Sequence, residues 1–206
     1  MESTGPRPRQ RPLIGAGTPS RSCAAAGLIL GLGWLLLVPP RLDVSSHSDP
    51  ARDHAQAVRR IAALEAVDGP GVNPACHTLF MDHGHRTGRA VVLFHGLTNC
   101  PQQFVALGWA LHAGGANVLI ARLPHHGLSD RMTSDLARLD ADELMRFGDR
   151  LADIGCGLGD SVTVAGLSLG AVVAAWLAQE RGDVERALLI APVLGVLRYG
   201  SRSPPA

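Results

Sequence analysis

The stretch that most constrains this chain is residues 162–171, Val-Thr-Val-Ala-Gly-Leu-Ser-Leu-Gly-Ala. It reads as a buried strand that runs through a Gly-Leu-Ser-Leu-Gly turn straight into a helix. Such a turn must hold Ser168 in a strained backbone conformation. Gly166 and Gly170 remove the side chains that would collide where strand and helix pack closely, the arrangement of a nucleophile elbow. The Ser168 hydroxyl is then raised above the sheet edge, at the amino end of a helix whose free N–H groups favour negative charge. With 24 glycines in 206 residues, the pattern alone could be a glycine-rich turn with an ordinary serine. Its context argues otherwise. Residues 161–165 alternate and are β-rich, residues 171–179 are helix-forming and apolar almost all round, and a second motif, Leu93-Phe94-His95-Gly96-Leu97, stands where a loop with outward N–H groups is needed.

A 206-residue chain with 46% hydrophobic residues can bury one sizeable core, which predicts a single domain with an appendage. The net charge of +1 argues against a nucleic-acid surface and against a polybasic enzyme for anionic substrates. Residues 1–22 are rich in Pro, Gly and Arg and are expected to be a disordered basic segment. Residues 23–38 form an uncharged apolar run ended by Pro39-Pro40-Arg41, of a length that suits a signal segment or a marginal membrane anchor. No small-x-small cleavage site follows, so an uncleaved anchor is favoured over an exported chain. The preceding arginines then place the remaining chain on the non-cytoplasmic side. A hydrophobic helix tucked on a soluble domain is the alternative. An oxidising compartment permits a disulfide, for which Cys76 and Cys100 are the pair to test; separate buried thiols are the plain alternative.

Residues 39–75 read as a linker containing a helix over 50–67, capped by Asp49 and opened by Pro50, with a thin stripe of Ala55, Val58, Ile61 and Ala62. Whether this helix lies on the domain or spaces it from a membrane is open. From residue 76 onward, short strands are expected over 78–81, 89–94, 117–121, 161–165 and 186–193. A helix opened by Pro101 should turn Phe104, Leu107 and Leu111 inward. Asp140 and Glu143 form a capping box for a helix with Leu144, Phe147, Leu151 and Ile154 on one face, and the helix after Ser168 should end near Gly182. The fold class is therefore α/β, a mostly parallel sheet with helices on both faces, preceded by an N-terminal hydrophobic helix. The carboxyl ends of such strands open on one edge, where ligands bind, so Leu97, Leu123 and Ser168 should converge there.

Three segments in order, Val-Val-Leu-Phe-His-Gly-Leu-Thr (91–98), Ala-Asn-Val-Leu-Ile-Ala-Arg-Leu-Pro-His-His-Gly (116–127) and Val-Ala-Gly-Leu-Ser-Leu-Gly (164–170), resemble the α/β-hydrolase superfamily, and more narrowly its bacterial esterase and monoacylglycerol-lipase-like branch. The resemblance covers residues 76–196 and implies a partial α/β-hydrolase domain over 76–206 that stops after the sixth strand of the family's sheet. It implies a serine hydrolase acting on a small-molecule acyl ester through an acyl-enzyme on Ser168. The backbone N–H groups of Leu97 and Leu169 would form the oxyanion hole, and His95 and Gly96 would be loop formers. His126-Gly127 matches a structural His-Gly of the family, and His125 stands where glycine is frequent. No cofactor and no metal are implied: His83, His85, His125 and His126 lack any metal-ligand spacing.

One part of the chemistry is missing. In this superfamily the acid and the histidine follow the serine, yet the last of the nine histidines is His126. Asp183 and Glu185 follow the elbow helix too closely to serve as the acid. Serine needs an adjacent base. The readings are a truncated hydrolase, inactive or weak as it stands, a non-catalytic binding or scaffold module of hydrolase fold, or a base supplied by His85, His125 or His126. A last strand, Ala-Leu-Leu-Ile-Ala-Pro-Val, left as the sheet edge would favour self-association.

Overall fold

A computed structural model describes residues 44–193, all within the second of the chain's two contact units, 44–206. The basic segment 1–22 and the apolar run 23–38 lie outside the described residues. Among the described residues, no helix is long and apolar enough to cross a membrane.

The elements are α1 (His54–Glu65), β1 (Leu79–Met81), β2 (Thr87–Phe94), α2 (Val105–Ala113), β3 (Asn117–Ile120), α3 (Ala141–Leu158), β4 (Gly159–Leu167), α4 (Leu169–Glu180) and β5 (Val184–Ile190), with short 3-10 turns at Pro74–Cys76, Pro101–Phe104 and Asp135–Arg138. They build one sheet in the order β1-β3-β2-β4-β5, parallel except for β1, which pairs antiparallel with β3. β2 and β4 lie inside the sheet, and their carboxyl-terminal stretches, Ala90–Phe94 and Val164–Gly166, are buried throughout. One face of the sheet packs Val92, Phe94, Leu119 and Val164 against α1, α3 and α4; the other packs Val91, Leu93, Val118 and Ile120 beneath α2.

Local chemistry accounts for where several elements begin. The first helix starts at His54 and not at Pro50, because the Asp53 carboxylate accepts the Gln56 N–H at 2.7 Å while Asp49 pairs with Arg60 at 2.8 Å. Its inward stripe is Ala57 and Ile61, with Leu64 packed alongside, so the helix lies on the domain. The box at α3 forms as expected at its first half, with Asp140 accepting the Glu143 N–H at 2.6 Å. Leu144, Phe147, Leu151 and Ile154 are all buried. On α2, Leu107 turns outward and Gly108 faces the sheet instead. A Cβ there would come within 2.9 Å of Ile120 Cδ1, so the glycine permits the close approach. The last strand spans 184–190, not 186–193. It ends where Ala191 adopts φ 44°, a left-handed backbone that no strand continues through.

The segment before α1 is laced to the domain by a buried ionic cluster. Arg181 Nη1 lies 2.7 Å from both Asp149 and Asp153, and Nη2 lies 2.6 Å from Asp183. Asp149 also accepts from Ser46 Oγ and from the His47 N–H, each at 2.6 Å, and Asp153 accepts from the Asp49 N–H at 3.0 Å. Burial alone would raise the Asp149 carboxyl; the Ser46 and Arg181 hydrogen bonds outweigh it and hold the group below its usual range. Asp183 is thus an ion-pair partner of Arg181, as its position directly after α4 requires.

β5 is an outer strand among the described residues. Leu188, Leu189 and Ile190 remain between 42% and 52% exposed, so apolar side chains stand out on both of its faces.

Candidate active site

β4 passes into α4 through Ser168, which holds φ 55° and ψ −111°. A serine at positive φ is uncommon, and here the surroundings impose it. The Ser168 N–H donates to the Ile190 carbonyl at 2.9 Å, and its own carbonyl accepts the Ala171 N–H at 3.1 Å. The flanking glycines are steric necessities. A Cβ on Gly166 would overlap the Gly170 backbone, and a Cβ on Gly170 would overlap the Phe94 carbonyl. Strand β4, helix α4 and the end of β2 therefore meet backbone to backbone around the serine.

The loop after β2 lies against it. A Cβ on Gly96 would sit 3.7 Å from Ser168 Cβ and 3.3 Å from Leu167 Cδ2. Four hydrogen bonds fix the peptides of this loop. Gly96 N–H donates to Gln103 Oε1 at 2.9 Å, and the Gly96 carbonyl accepts from Asn99 N–H and from His95 Nδ1, both at 3.0 Å. His95 Nε2 in turn accepts the Leu123 N–H at 3.1 Å, which leaves the ring proton on Nδ1. The Gly96 carbonyl and the Leu97 N–H belong to one peptide plane and point in opposite directions. Two donors holding the carbonyl therefore hold the Leu97 N–H away from them. Among the described residues neither the Leu97 nor the Leu169 N–H has an acceptor outside regular structure, and Leu169, as the first residue of α4, has none within it.

The disulfide joins Cys76 to Cys100, with Cα atoms 5.2 Å apart. It closes the loop after β2, three residues beyond Leu97, onto the turn that precedes β1. Cys156 is the free thiol among the described residues; burial and the Asp183 carboxylate push it up to about 12.

Among the described residues no histidine hydrogen-bonds to Ser168; His95 has both ring nitrogens paired, whereas the buried Nε2 of His126 has no partner. His95 is fully buried, and burial lowers its pKa to about 4, so it is neutral in the physiological range with both nitrogens committed. His126 stacks edge-on against it at 5.1 Å, donates from Nδ1 to the Pro124 carbonyl at 2.7 Å, and is likewise depressed by burial. His125 adopts φ 64°, the left-handed conformation for which glycine is the usual residue. Its two nitrogens face Asp135 and Glu143, each at 2.9 Å. His83 and His85 lie in the β1–β2 turn, where His83 stacks on His112 at 4.0 Å. That turn is at the amino end of β2, whose length of about 25 Å separates it from Ser168. Among the described residues Ser168 Oγ has no hydrogen-bond partner, and no three or more ligating side chains gather into a metal site.

A profile described as "Alpha/beta hydrolase family" matches residues 91–206, more than half of the chain. The chain belongs to the alpha/beta hydrolase family. Solved structures similar to this hydrolase-family chain include the metagenome-derived lipolytic enzymes LipS and LipT (24% identity, 52% of this chain and 41% of that one, TM-score 0.44), the monoacylglycerol lipase of Paleococcus ferrophilus (21%, 58% and 44%, 0.46) and MenH from S. aureus (22%, 58% and 44%, 0.45). This chain spans less than half the length of each. A search of curated proteins found no match.

Sequence reasoning missed the roles of Gln103, Asn99 and His125. The first two act through hydrogen bonds to Gly96, which no pattern of residue types announces. For His125 a signal existed, since a residue standing in a glycine position takes on the glycine's positive φ.

Proposed function

We propose that this chain carries the nucleophile half of a carboxylic-ester hydrolase. Ser168 Oγ attacks the ester carbonyl carbon, the alkoxide leaves with a proton, and water then releases the acyl group from the serine. The N–H groups of Leu97 and Leu169 receive the negative charge that builds on the carbonyl oxygen. The observation that carries this reading is the convergence of Gly96, Ser168 and Gly170 backbone at one point, with two unpaired amides beside the strained serine. Each such donor is worth about 3 kcal/mol of transition-state stabilisation. The serine proton has no acceptor among the described residues, so attack is slow in the 206-residue chain. The same deficit supports a second reading, a hydrolase-fold module that binds without turnover.

Hydrolysis of p-nitrophenyl acetate with and without added imidazole separates the two. The ester-hydrolase reading expects weak turnover that imidazole accelerates beyond its own reaction with the ester in protein-free buffer, and that Ser168→Ala reduces to that background. Identical rates for the wild type and Ser168→Ala, with imidazole present, would leave the binding module. We further propose that the domain works on the non-cytoplasmic side of a membrane, anchored through residues 23–38. The Cys76–Cys100 disulfide supports this, because such bridges persist in oxidising compartments. Exposure of Leu188, Leu189 and Ile190 supports self-association along β5.

A further inference from the structure

The loop after β3 holds an arrangement that ester chemistry leaves unused. His125 Nδ1 lies 2.9 Å from Asp135 Oδ2, and Nε2 lies 2.9 Å from Glu143 Oε2. Ionised carboxylates only accept hydrogen bonds, and a neutral imidazole has a single N–H to give. With one proton on the ring, one of these two contacts sets lone pair against lone pair. Both are satisfied only by the imidazolium.

The two carboxylates belong to different parts of the chain. Glu143 is in the first turn of α3, a rigid helix with its face in the core. Asp135 opens the 3-10 turn Asp135–Arg138, at the far end of a strap over residues 128–139. Leu128, Asp130, Arg131, Thr133 and Leu136 of this strap wall a cleft of about 460 Å³, and residues 97–100 of the oxyanion loop wall its other side. The strap is pinned at its start, where Ser129 N–H donates to the Gly71 carbonyl at 2.9 Å. Beyond that, the hydrogen bonds of residues 130–139 stay within the strap: Asp130 to Met132, Ser134 to Ala137, Asp135 to Arg138 and Leu136 to Leu139. The exception is Asp135 to His125. Met132 at the middle of the strap is 92% exposed. One imidazole ring thus ties the distal strap to the domain by hydrogen bonding.

We propose that His125 is a proton-operated latch: as an imidazolium it fastens the 128–139 strap to the start of α3 along the rim of the cleft that Leu97 lines, and on losing its proton it releases Asp135 and loosens the strap between its ends, Ser129 bonded to Gly71 and Leu139 packed on the core. The contact with Asp135 is the chief cause that raises the His125 pKa; partial burial opposes it and Glu143 reinforces it. Arg138 also faces Asp135, at 3.2 Å, and helps to lower that carboxyl, while on the loop side His125 is itself one of the groups that lower the neighbouring His126. Asp130 and Arg131 of the strap line the same cleft as His125, and Asp140 caps the turn that carries Glu143. A histidine pKa raised by folding gives contacts fully present below the ordinary value of about 6.5 and lost as pH climbs through the raised value. The latch is therefore fastened in acid and open in base. It stands independently of any role for Ser168.

The test is hydrogen exchange of the full chain at about pH 6 and about pH 9, with rates referred to the intrinsic exchange at each pH, together with ¹⁵N shifts of the His125 ring. Wild type should lose severalfold protection over 128–139 at the higher pH while β2 and β4 keep theirs, and both ring nitrogens should be protonated at the lower pH. His125→Asn tolerates positive φ but cannot bridge two carboxylates, so its strap should exchange fast at both pH values. Glu143→Gln should shift the transition to lower pH without touching the loop backbone. Strap protection equal at both pH values in wild type, wild-type protection in His125→Asn with the core intact, an unshifted transition in Glu143→Gln, or a singly protonated ring at the lower pH would each overturn the latch.

Discussion

Gly170→Ala is the sharpest perturbation of the elbow. The added methyl would overlap the Phe94 carbonyl and come within 2.7 Å of the His95 carbonyl oxygen. Neither neighbour is a side chain that can rotate away. The end of β2 and the first turn of α4 would have to part by about 1 Å, breaking contacts that bury Ala171, Val173 and Ala174. Overpacking against backbone belongs at the upper end of its range, about 3 kcal/mol or more. Alanine recovers up to about 1 kcal/mol over glycine within a helix. The net loss is at least about 2 kcal/mol, a shift in Tm of roughly 4–8 °C for a domain of this size. Gly182, where an added methyl would meet nothing within 4 Å and φ is not positive, is the control. Gly182→Ala should be neutral or stabilising by less than about 1 kcal/mol. Urea unfolding followed by circular dichroism measures both. If Gly170→Ala is as stable as the wild type, strand and helix do not meet as described and the elbow geometry is wrong.

Acid should weaken the fold through His95. Its folded pKa lies near 4, below the ordinary histidine value, so its contribution is complete above about pH 6.5 and falls as pH drops toward 4, by about 3 kcal/mol over that window; denaturant midpoints that stay flat across it would contradict a buried neutral imidazole. Replacing both Cys76 and Cys100 with serine reopens a loop with a sequence separation of 24 and should cost about 3 kcal/mol by loop-closure entropy. In thiol titration without reductant, native protein should show neither cysteine. Leu189→Lys places a charge on the outer strand where the side chain is 45% exposed, and should shift sedimentation toward monomer; an unchanged distribution would remove β5 as the associating edge.

The elbow was legible because three constraints coincide in a few residues: an alternating β-rich strand, two glycines at fixed spacing and an apolar helix directly after. The parallel order of β3, β2, β4 and β5 followed from alternation of strand and helix. What sequence left hidden was decided by competition between neighbours. Asp53 rather than Asp49 caps α1 because Arg60 captures Asp49, and Gly108 rather than Leu107 faces the sheet because Met81 and Ile120 leave room for no more. The chain's likeness to alpha/beta hydrolases told which serine to watch. It was silent on the peptide plane that His95 and Asn99 hold for Leu97, since hydrogen bonds that orient a backbone depend on loop coordinates and leave no periodic trace. The choice between a disulfide and separate thiols was likewise open in the sequence, because what decides it is the 5.2 Å approach of the Cys76 and Cys100 Cα atoms, a product of how two loops pack.

The central proposal is that Ser168 works with the Leu97 and Leu169 amides and that no group among the described residues takes its proton. Fluorophosphonate labelling of the 206-residue chain as a function of pH, read by peptide mapping, tests it most directly. Slow labelling confined to Ser168, rising steadily with pH and showing no inflection between about pH 6 and 7, is the predicted result. Fast labelling with a histidine-like inflection in that range would show a base within reach of the serine and contradict the account.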